Sequence, residues 1–596
     1  MVSGILVAIL LVAGLIGFVV LIVGSLTRVG RSNDGIDAVS VRRFFQYVLL
    51  AVLYMVVAIG ISDLVGRAFG APVPEWQDGS QILARGLTFV GVGLPLAALL
   101  TWWTWRKQRS NPAEAKSVLY SLYLTITALV TLGFAVSGLV DVVRVAIGDT
   151  RLDVEALGVF LGWGLVWFGH WFAARHTLDE SAGAPHVLLG SLMGLGIASA
   201  GIVTTLGTSL DLLFRPGLSL NPIYGIADGV SVLLAGALVW SLYWLGSAAR
   251  LSRSPLWLAY VLPIGVGGGL ILTLVAASRT LWTVLVWFFG DVGGRSASQH
   301  FDTTTMEFAA VLVGLLIWWY HRAVFGELGG KRTEVQRIYE YLVSGIALVA
   351  AASGVGTMLV ALIEASTPGT DSGMTVMNTL LAAVTLLIVG VPVWWVFWRR
   401  IRLAEAADPA TEVASITRKI YLVALFGVAG IAAVVALLVA TYLLVTDIVA
   451  GHAGLATLRS IRYGLGVLAG TAAVSAYHGA VFRQDRALGI PTQPSGHGTG
   501  PRSVVLVGAA DPDLGRYLSR ATGARVELWG RLDEPSLPWD SETLLAALAS
   551  YTDQDVLVTW VGDTAEIMVV DRSGRQDANP VVPDAPVPEA SDESEA

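Results

Sequence analysis

The amino-acid sequence predicts an all-α polytopic membrane protein with a small α/β domain at its C-terminus. Of the 596 residues, 55% are hydrophobic, 66 more are glycine and only 14% are charged, giving a mean hydropathy of +0.68. Soluble domains have roughly a quarter of their residues charged. Apolar stretches recur along the first 500 residues, whereas residues 501–596 contain 18 acidic residues and 7 arginines, a net charge of −11. The chain therefore divides into a bilayer part and a water-compatible part.

Thirteen stretches reach the length of about 20 apolar residues that a helix needs to cross a bilayer. The first has no basic residue before its apolar run, so we predict a retained helix and not a signal peptide. The thirteen predicted spans are 3–24, 44–66, 85–105, 117–143, 156–174, 187–213, 226–246, 257–279, 306–325, 338–363, 376–398, 419–448 and 461–482. An odd number of spans places the two termini on opposite sides of the membrane.

Arginine and lysine are concentrated in alternate loops, those that follow odd-numbered spans. Arg28, Arg31, Arg42 and Arg43 follow the first span, and the loops after the later odd-numbered spans are also basic. Basic loops resist export across an energised membrane. We therefore predict a multi-pass protein of the bacterial cytoplasmic (inner) membrane, with its N-terminus outside and its C-terminus in the cytoplasm.

The last twelve spans form six tandem copies of a two-helix unit, repeating about every 70 to 80 residues. Four copies begin with an aromatic and basic segment, such as "VRRFFQYVLL" at 41 and "EVQRIYEYLV" at 334. The closing helix of each copy ends with Trp, two residues, an aromatic or His, and then Trp or a cation. Examples are "LTWWTWRK" from Leu100 and "LIWWYHRA" from Leu316. The sixth copy, "AVSAYHGAVFR", matches the pattern at fewer positions.

Tryptophan settles at the headgroup boundary because its ring is apolar and its N–H is polar. The repeated signature therefore predicts an interfacial belt. Its members are Trp102, Trp105, Trp167, His170, Trp171, Trp240, Trp244, Trp318, His321, Trp394, Trp398 and His478. The three histidines share one repeat position and could instead hold a haem or a metal, but other copies have Trp, Tyr or Phe there, as a packing position tolerates. We expect no cofactor.

A second set of polar residues recurs near the opposite ends of the long first helices. These candidate polar membrane positions are Asp63, Asp141, Asp211, Arg279, Glu364 and Asp447. An acid at a helix C-terminus opposes the helix dipole, so helix stability does not explain the pattern. Either the carboxylates hydrate the boundary separately, or several converge on a polar vestibule that attracts cations, because ionisable groups at this depth are costly unless they face water or each other.

Runs of small residues and one Trp-rich segment give two further expectations about the long helices. Runs of small residues, such as "GLGIASAG" at 194, predict close helix packing, although Gly267, Gly268 and Gly269 after Pro263 could unwind a helix and expose carbonyl groups. The segment "TLWTVLVWFFGD" after Arg279 is expected to form a Trp-rich helix lying in the outer interface.

The repeated unit resembles a bacterial multi-pass membrane domain family of unknown function. The residues that support the resemblance are the aromatic and basic start, the long helix rich in small residues and the Trp-rich closing signature, over about residues 40 to 485. The sixth copy departs most, with Ser475 and Gly479 in place of tryptophan. The resemblance implies no activity, substrate or catalytic residue.

The C-terminal part has the composition of a soluble domain. "SVVLVGA", "ARVELWG", "DVLVTWVG" and "AEIMVVDR" predict strands, and "DPDLGRYLSRATG" and "DSETLLAALASYT" predict helices, in the order βαβαββ. The predicted organisation is an N-terminal anchor with a basic loop (1–43), six two-helix units (44–486), a linker (487–501), the small α/β domain (502–573) and a disordered acidic tail (574–596).

The sequence excludes several function classes. It contains no cysteine, so disulfides and thiolate metal sites are impossible. "LVGAADPDLG" lacks the glycine spacing of a dinucleotide loop, and no hydrolase motif is found, so we expect no enzyme and no nucleic-acid partner. Membrane lipid is the expected environment, and a cytoplasmic protein partner of the C-terminal domain is expected. The sequence predicts a membrane scaffold or sensor, or alternatively a small-solute or cation transporter that uses the acidic residues.

Overall fold

A computed structural model describes residues 38–71, 79–148, 154–214, 222–324, 333–367, 369, 375–487, 500–508, 511–530, 539–561 and 564–571. The chain forms two compact units. The first extends to Pro409 and resumes from Ser415 to Ala480, and the second contains Ala410–Ala414 and the chain from Val481 onward. The predicted first span, most of the predicted linker and the predicted tail lie outside the described residues.

Twelve helices of the described chain are long and apolar enough to cross a membrane. They confirm the last twelve predicted spans and the all-α polytopic class. Their bounds are α1 Val39–Ala68, α2 Gly79–Ser110, α3 Val118–Ala146, α4 Val154–Thr177, α5 Glu180–Phe214, α6 Gly225–Arg250, α7 Pro255–Phe289, α8 Ala297–Ala323, α9 Glu334–Ser366, α10 Val376–Ala407, α11 Ile416–Val449 and α12 Arg462–Asp485.

Hydroxyl side chains fix the starts of six of these helices. Each precedes a helix with extended or near-extended backbone, and its side-chain oxygen accepts the N–H of the residue three positions on. These residues are Ser117, Ser254, Ser296, Thr333, Thr375 and Ser415. Such N-caps satisfy a donor that the first helical turn leaves unpaired. The starts of these helices are therefore set by local chemistry as well as by hydropathy.

Glycine contacts join α5 and α6 closely over most of their length. A Cβ on Gly194 or Gly201 of α5 would overlap the backbone of Trp240 or Leu233 of α6, and one on Gly236 would overlap Ala198. Small residues let helix backbones approach within lipid, where packing contacts drive association. This pair therefore forms the glycine-lined interface that the sequence predicts.

The first helix of each odd-numbered unit also packs on the closing helix of the next unit. Gly158 and Gly162 of α4 lie against Ser62 of α1, Gly207 of α5 lies against Met306 of α8, and Gly356 of α9 lies against Gly466 of α12. The six units are thus grouped in pairs. The helices form three four-helix bundles, α1–α4, α5–α8 and α9–α12.

Helix α7 corrects two expectations. Residues Tyr260–Gly267 around Pro263 form π-helix, and the α-helix then continues from Gly268 to Phe289. The predicted interfacial helix after Arg279 is therefore the last part of α7. The glycine run is not unwound, because Gly269 packs against the backbone of Gly314 and Trp318 in α8.

The C-terminal domain contains the four predicted strands and two predicted helices. The strands are β1 Ser503–Gly508, β2 Arg525–Gly530, β3 Asp555–Val561 and β4 Thr564–Val569, and the helices are α13 Pro512–Thr522 and α14 Ser541–Leu548. The sheet order is β2-β1-β3-β4, with β1 parallel to β2 and β3 and only β4 antiparallel.

Alternate residues of the central strands form the core of this domain. Val504 and Leu506 of β1 pack with Val556 and Val558 of β3 against leucines from both helices, Leu514, Leu518, Leu544 and Leu548. Because side chains alternate across a strand, both helices cover the same face of the sheet. Trp529 of β2, adjacent in sequence to the inward Leu528, lies on the other face and is 52% exposed.

Candidate functional site

At the acidic ends of the long helices, Asp63 forms an ion pair within the first unit. Arg85, near the start of α2, donates from Nε to Asp63 Oδ2 at 2.7 Å and from Nη2 to Oδ1 at 2.9 Å. The two side chains are 22 residues apart in sequence and join α1 to α2. A bidentate guanidinium–carboxylate pair fixes both orientation and distance, so this carboxylate links two helices.

Asp141 has its partner within its own helix, and Asp211 contacts a neighbouring helix. Arg144 donates to Asp141 Oδ1 at 2.6 Å within α3 and also pairs with Asp228 of α6. Asp211 of α5 accepts a long hydrogen bond of 3.5 Å from Thr305 of α8. Arg144 therefore connects the first bundle to the second, whereas Asp211 and Thr305 both lie within the second bundle.

Arg279 has a partner that the sequence analysis missed. Its Nε donates to Glu307 Oε1 of α8 at 2.8 Å, and Thr303 donates to the same oxygen at 3.2 Å. Glu307 is buried, while the Arg279 side chain is 61% exposed. The fourth unit thus has the charges of the first unit exchanged: base on the first helix and acid on the second. The sequence did contain a signal for this partner, because Arg279 occupies the position at which the other copies have an acid.

Glu364 lies in the most enclosed of these contacts. Arg462 Nε donates to Glu364 Oε1 at 2.8 Å, and both side chains are nearly buried. Arg459 donates from Nη1 to the carbonyl oxygens of Thr367 and Glu364, at 2.8 and 3.2 Å. The end of α9 is thereby tied to the start of α12 and to the short helix before it.

The six predicted polar positions are not brought together. Asp447, at the end of α11, has no side-chain partner among the described residues, and the other five have separate partners. Within the described ranges, no three His, Asp or Glu side chains are grouped so that they could hold a metal ion. The polar positions thus take part in separate contacts, and the structure does not bring them into one group.

At the opposite ends of the helices, the structure corrects part of the predicted interfacial belt. Trp102 and Trp105 are about half exposed, as a headgroup position requires, and Arg106 and Arg109 lie over their rings. Trp167, Trp171, Trp240, Trp318 and Trp394 are half-buried. The members that are instead buried in the interior are Trp244, Trp398, His170, His321 and His478.

The indole groups of three tryptophans are satisfied by tyrosines of the next unit. Trp244 Nε1 donates to Tyr320 Oη at 2.7 Å, and Trp398 Nε1 donates to Tyr477 Oη at 2.8 Å. A similar bond joins Trp167 to Tyr243 at 3.0 Å. These residues bind neighbouring units to each other where the sequence analysis expected contacts with lipid headgroups.

We predict that Trp244→Phe lowers the unfolding free energy by about 2 to 3 kcal/mol, because the smaller ring leaves a cavity in a fully buried site and the hydrogen bond to Tyr320 is lost. The thermal midpoint of the detergent-solubilised protein would report the change. Trp319→Phe is the matched control, since Trp319 is 61% exposed. Equal midpoints for the two variants would contradict an interior role for Trp244.

The three histidines occupy equivalent places in the even-numbered units. Nδ1 of His170, His321 and His478 contacts the carbonyl oxygen of the residue four positions earlier, at 2.8 to 2.9 Å. A carbonyl cannot donate, so Nδ1 carries the proton and Nε2 is the acceptor. Each ring also lies 5.4 to 6.0 Å from a tyrosine of the first helix of its unit, Tyr123, Tyr260 or Tyr421.

Only the first of these histidine–tyrosine pairs makes a direct hydrogen bond. The Tyr123 hydroxyl lies 2.8 Å from His170 Nε2 and donates to it. His321 and His478 are packed among aromatic rings, which include Trp244 and Trp398. The close aromatic neighbours support the interpretation of these sites as packing positions. The recurring tyrosines were missed because tyrosine is common throughout the aromatic starts of the units.

The basic start of α1 is anchored by a glutamate between α2 and α3. Glu114 accepts from Arg42 Nη2 at 2.6 Å and from Arg43 Nε at 2.8 Å. Gln46, one turn later, donates to Thr104 of α2 at 2.7 Å. The hydrogen bond from Arg43, with the charge of Arg42, holds the pKa of Glu114 below its ordinary value of 4.5.

This lowered pKa gives a prediction for acid stability. Because the folded-state pKa of Glu114 is depressed, its contribution is complete above about pH 4.5 and is lost as the pH falls through the folded value. The thermal midpoint of the wild type should therefore fall more steeply below about pH 4.5 than that of Glu114→Gln. Parallel curves for both proteins would show that the two ion pairs contribute nothing.

The fold defines a class: the chain is an integral membrane protein with multiple helical passes. Residues 43–169 and 337–473 each match the model of one family, described as a domain of unknown function (DUF5671). The family model thus matches the chain twice, which confirms the resemblance to a repeated family of unknown function. Neither the curated proteins nor the solved structures include a match to the chain.

The two matched segments correspond to the first and third bundles. Residues 43–169 cover most of α1–α4, and residues 337–473 cover most of α9–α12. Each match therefore covers a pair of two-helix units. The second bundle lies between the matches and has the same order of helices. It also has a buried histidine, His321, and a hydrogen bond from a buried tryptophan to a tyrosine, Trp244 to Tyr320.

Proposed function

We propose that the protein is a membrane scaffold whose helical bundles hold a cytoplasmic interaction domain at the bilayer, and that it has no catalytic activity of its own. The observation that carries the proposal is the separate placement of the polar residues at the acidic helix ends. Transport sites need ionisable groups that face a shared cavity or each other at membrane depth. Here Asp63, Arg279 and Glu364 each join a different pair of helices, as structural clamps do.

The C-terminal domain supports the same proposal. Residues 501–596 carry a net charge of −11, which disfavours an anionic lipid surface and favours a basic protein partner. Trp529 and Met568 are exposed on the sheet strands, at 52% and 39%. Exposed aromatic and methionine side chains are enriched at protein interfaces. With the C-terminus on the cytoplasmic side, as the basic loops predict, the partner is a cytoplasmic protein with a basic surface.

Photocrosslinking in the native host would test the partner. A photoreactive residue at Trp529 or Met568 should give a discrete adduct with a basic protein. The same residue at Tyr517, which is exposed on α13, serves as the control and should give none. Adducts of equal yield from all three positions would indicate random collision and contradict the proposal.

The transporter alternative is tested independently by cation and proton flux in proteoliposomes. A scaffold predicts flux equal to that of protein-free vesicles. Flux above that level, abolished by Asp141→Asn and Asp447→Asn in correctly folded protein, would replace the scaffold by a carrier that uses the acidic residues. The orientation itself is tested by labelling a C-terminal tag in intact cells, where it should be inaccessible.

A further inference from the structure

The third helix of the first bundle, α3, packs on the first two helices of the second bundle. Leu132 and Val136 of α3 share a buried cluster with Met193 of α5 and with residues of α6. Ser121 of α3 also donates from its hydroxyl to the carbonyl oxygen of Ala182 in α5 at 2.7 Å. The first two bundles are therefore joined through one face of α3.

The third helix of the second bundle, α7, repeats this contact with the third bundle. A Cβ on Gly267 would lie 3.4 Å from the side chain of Ile346 and 3.6 Å from that of Leu342, both in α9. The Trp282 indole donates to the carbonyl oxygen of Asn378 in α10 at 3.1 Å. The same arrangement is thus used twice: the third helix of one bundle lies on the first two helices of the next.

Helix α11 is the third helix of the last bundle, and its residues can be matched to those of α3. Both helices begin after a serine cap, Ser117 or Ser415. Six residues after each cap, both have a buried tyrosine. Counted from the caps, the α3 residues Leu132, Val136 and Leu139 of the shared cluster correspond to Gly430, Val434 and Leu437. Together with Gly427, which precedes Gly430 by about one turn on the same side of the helix, these three residues are called the α11 face.

The α11 face is exposed, whereas the equivalent face of α3 is buried. Val434 is 56% exposed, and its counterpart Val136 is 3% exposed. In the most apolar windows of the helices, 44% of the residues of α3 and 56% of those of α7 are buried, against 11% for α11. The described chain has no fourth bundle for α11 to pack on, so the face that joins bundles elsewhere is left open here.

The helix that receives α7 in the third bundle, α9, does so with side chains of its first turns. Tyr339, Val343 and Ile346 pack in one cluster with buried residues of α7. Helix α1, the first helix of the first bundle, can be matched to α9. Tyr47 and Tyr341 each pack on the tyrosine near the start of the third helix of their own bundle, and the two family matches begin at the same point of the two helices.

The equivalent side of α1 is exposed. The α1 residues at the matching positions are Phe45, Leu49 and Val52, which are called the α1 face. Phe45 is 65% exposed and Leu49 is 52% exposed, whereas their counterparts in α9 are 5% and 0% exposed. The chain thus has one open face of the kind that packs on a following bundle and one of the kind on which a preceding bundle packs.

We propose that the protein assembles head to tail in the membrane, with the α11 face of one copy packed on the α1 face of a second copy. The contact repeats the two that join the bundles within one chain. Glycines on the α11 face let the helices approach closely, and packing contacts of this kind drive helix association in lipid. Because the two faces differ, the contact is heterologous, and the copies form a ring or an open row. The proposal does not rest on the scaffold function, because it uses neither the C-terminal domain nor its partner.

Cysteine crosslinking between two copies tests this contact, since the chain contains no cysteine of its own. Gly427→Cys and Val52→Cys are placed on separately tagged full-length copies that are expressed together, and the membranes are treated with a short bifunctional thiol reagent. An adduct that carries both tags is expected. Within one chain, the equivalent positions are those of Gly267 and Ile346, which adjoin each other, once the additional residue of the α7 π-helix is allowed for.

Val428→Cys is the matched control for Gly427→Cys. Val428 is the next residue of α11 and is 68% exposed. It points about 100° away around the helix, so it should give about tenfold less adduct with Val52→Cys. Equal yields from the two positions would indicate random collision and overturn the proposal. An equal yield between two copies that both carry Val52→Cys would show contact between like faces and overturn it as well.

A bulky side chain on the α11 face tests the packing itself. Val434→Trp in the Gly427→Cys copy should lower the adduct about tenfold, corresponding to about 1.4 kcal/mol. Val439→Trp should leave the yield unchanged, because Val439 lies on another side of α11 and is similarly exposed, at 50%. Equal loss in both variants would overturn the proposal. The absence of any doubly tagged adduct would assign the two faces to lipid or to residues 1–37 of the same chain and would also overturn it.

Discussion

Gly201→Leu is expected to destabilise the second bundle by about 3 kcal/mol, at the upper end of the usual cost of overpacking. A side chain at position 201 would overlap the backbone nitrogen and Cα of Leu233. Backbone atoms cannot rotate out of the way as a flexible side chain does. Helices α5 and α6 would have to separate along the length that Gly194 and Gly236 also hold together.

Gly196→Leu provides the matched control for this prediction. Gly196 lies on the same helix, and no atom of another helix lies within 4 Å of a Cβ built there, so only the smaller change in helix propensity remains. The thermal midpoint of monodisperse protein in detergent should fall clearly for Gly201→Leu and stay near the wild-type value for Gly196→Leu. Similar losses for both would mean that α5 and α6 are not closely packed in the membrane protein.

Glu364→Gln is expected to cost about 3 to 5 kcal/mol, because removing one partner of a buried ion pair leaves the other charge uncompensated. The Glu364 and Arg462 side chains are only 4% and 11% exposed. Asp447→Asn, at the corresponding end of α11, should have almost no effect, since no described residue pairs with that side chain. Unfolding free energies measured in detergent by denaturant titration would compare the two variants.

A double variant separates the effect of an unpaired charge from the effect of side-chain packing. Glu364→Leu with Arg462→Leu removes both charges and should recover a large part of the stability lost in Glu364→Gln. A double variant as unstable as the single one would show that the two side chains act through packing and that their charges are incidental.

Hydropathy was sufficient to locate the twelve described spans, because each bilayer crossing needs a long apolar stretch whatever its neighbours are. Strand alternation and helix caps were likewise sufficient for the C-terminal domain. The rotation of each helix was not predictable. A helix that is apolar all round, such as α6, gives no sign of the side on which Trp244 lies, and therefore the sequence analysis assigned that residue to the lipid boundary.

The polar contacts were only partly predictable for a related reason. Asp63 and Arg85 are 22 residues apart, but Glu364 and Arg462 are separated by 98, and the sequence contains no rule that joins helices so distant. The contact between Arg279 and Glu307 was the one that could have been predicted. A base that replaces an acid in one repeat predicts an acid on the facing helix, and α8 supplies it in its first turns.

The grouping of the helices into three similar bundles has a mechanical consequence. Most of the glycine contacts lie within a bundle, whereas adjoining bundles share two buried clusters of larger side chains, one that contains Val136 and Tyr243 and one that contains Trp244 and Tyr339. Loss of one bundle would therefore expose buried side chains of the next. Pulled upward by its C-terminal end from a supported bilayer, the chain should come out in force steps that do not stop at the bundle boundaries.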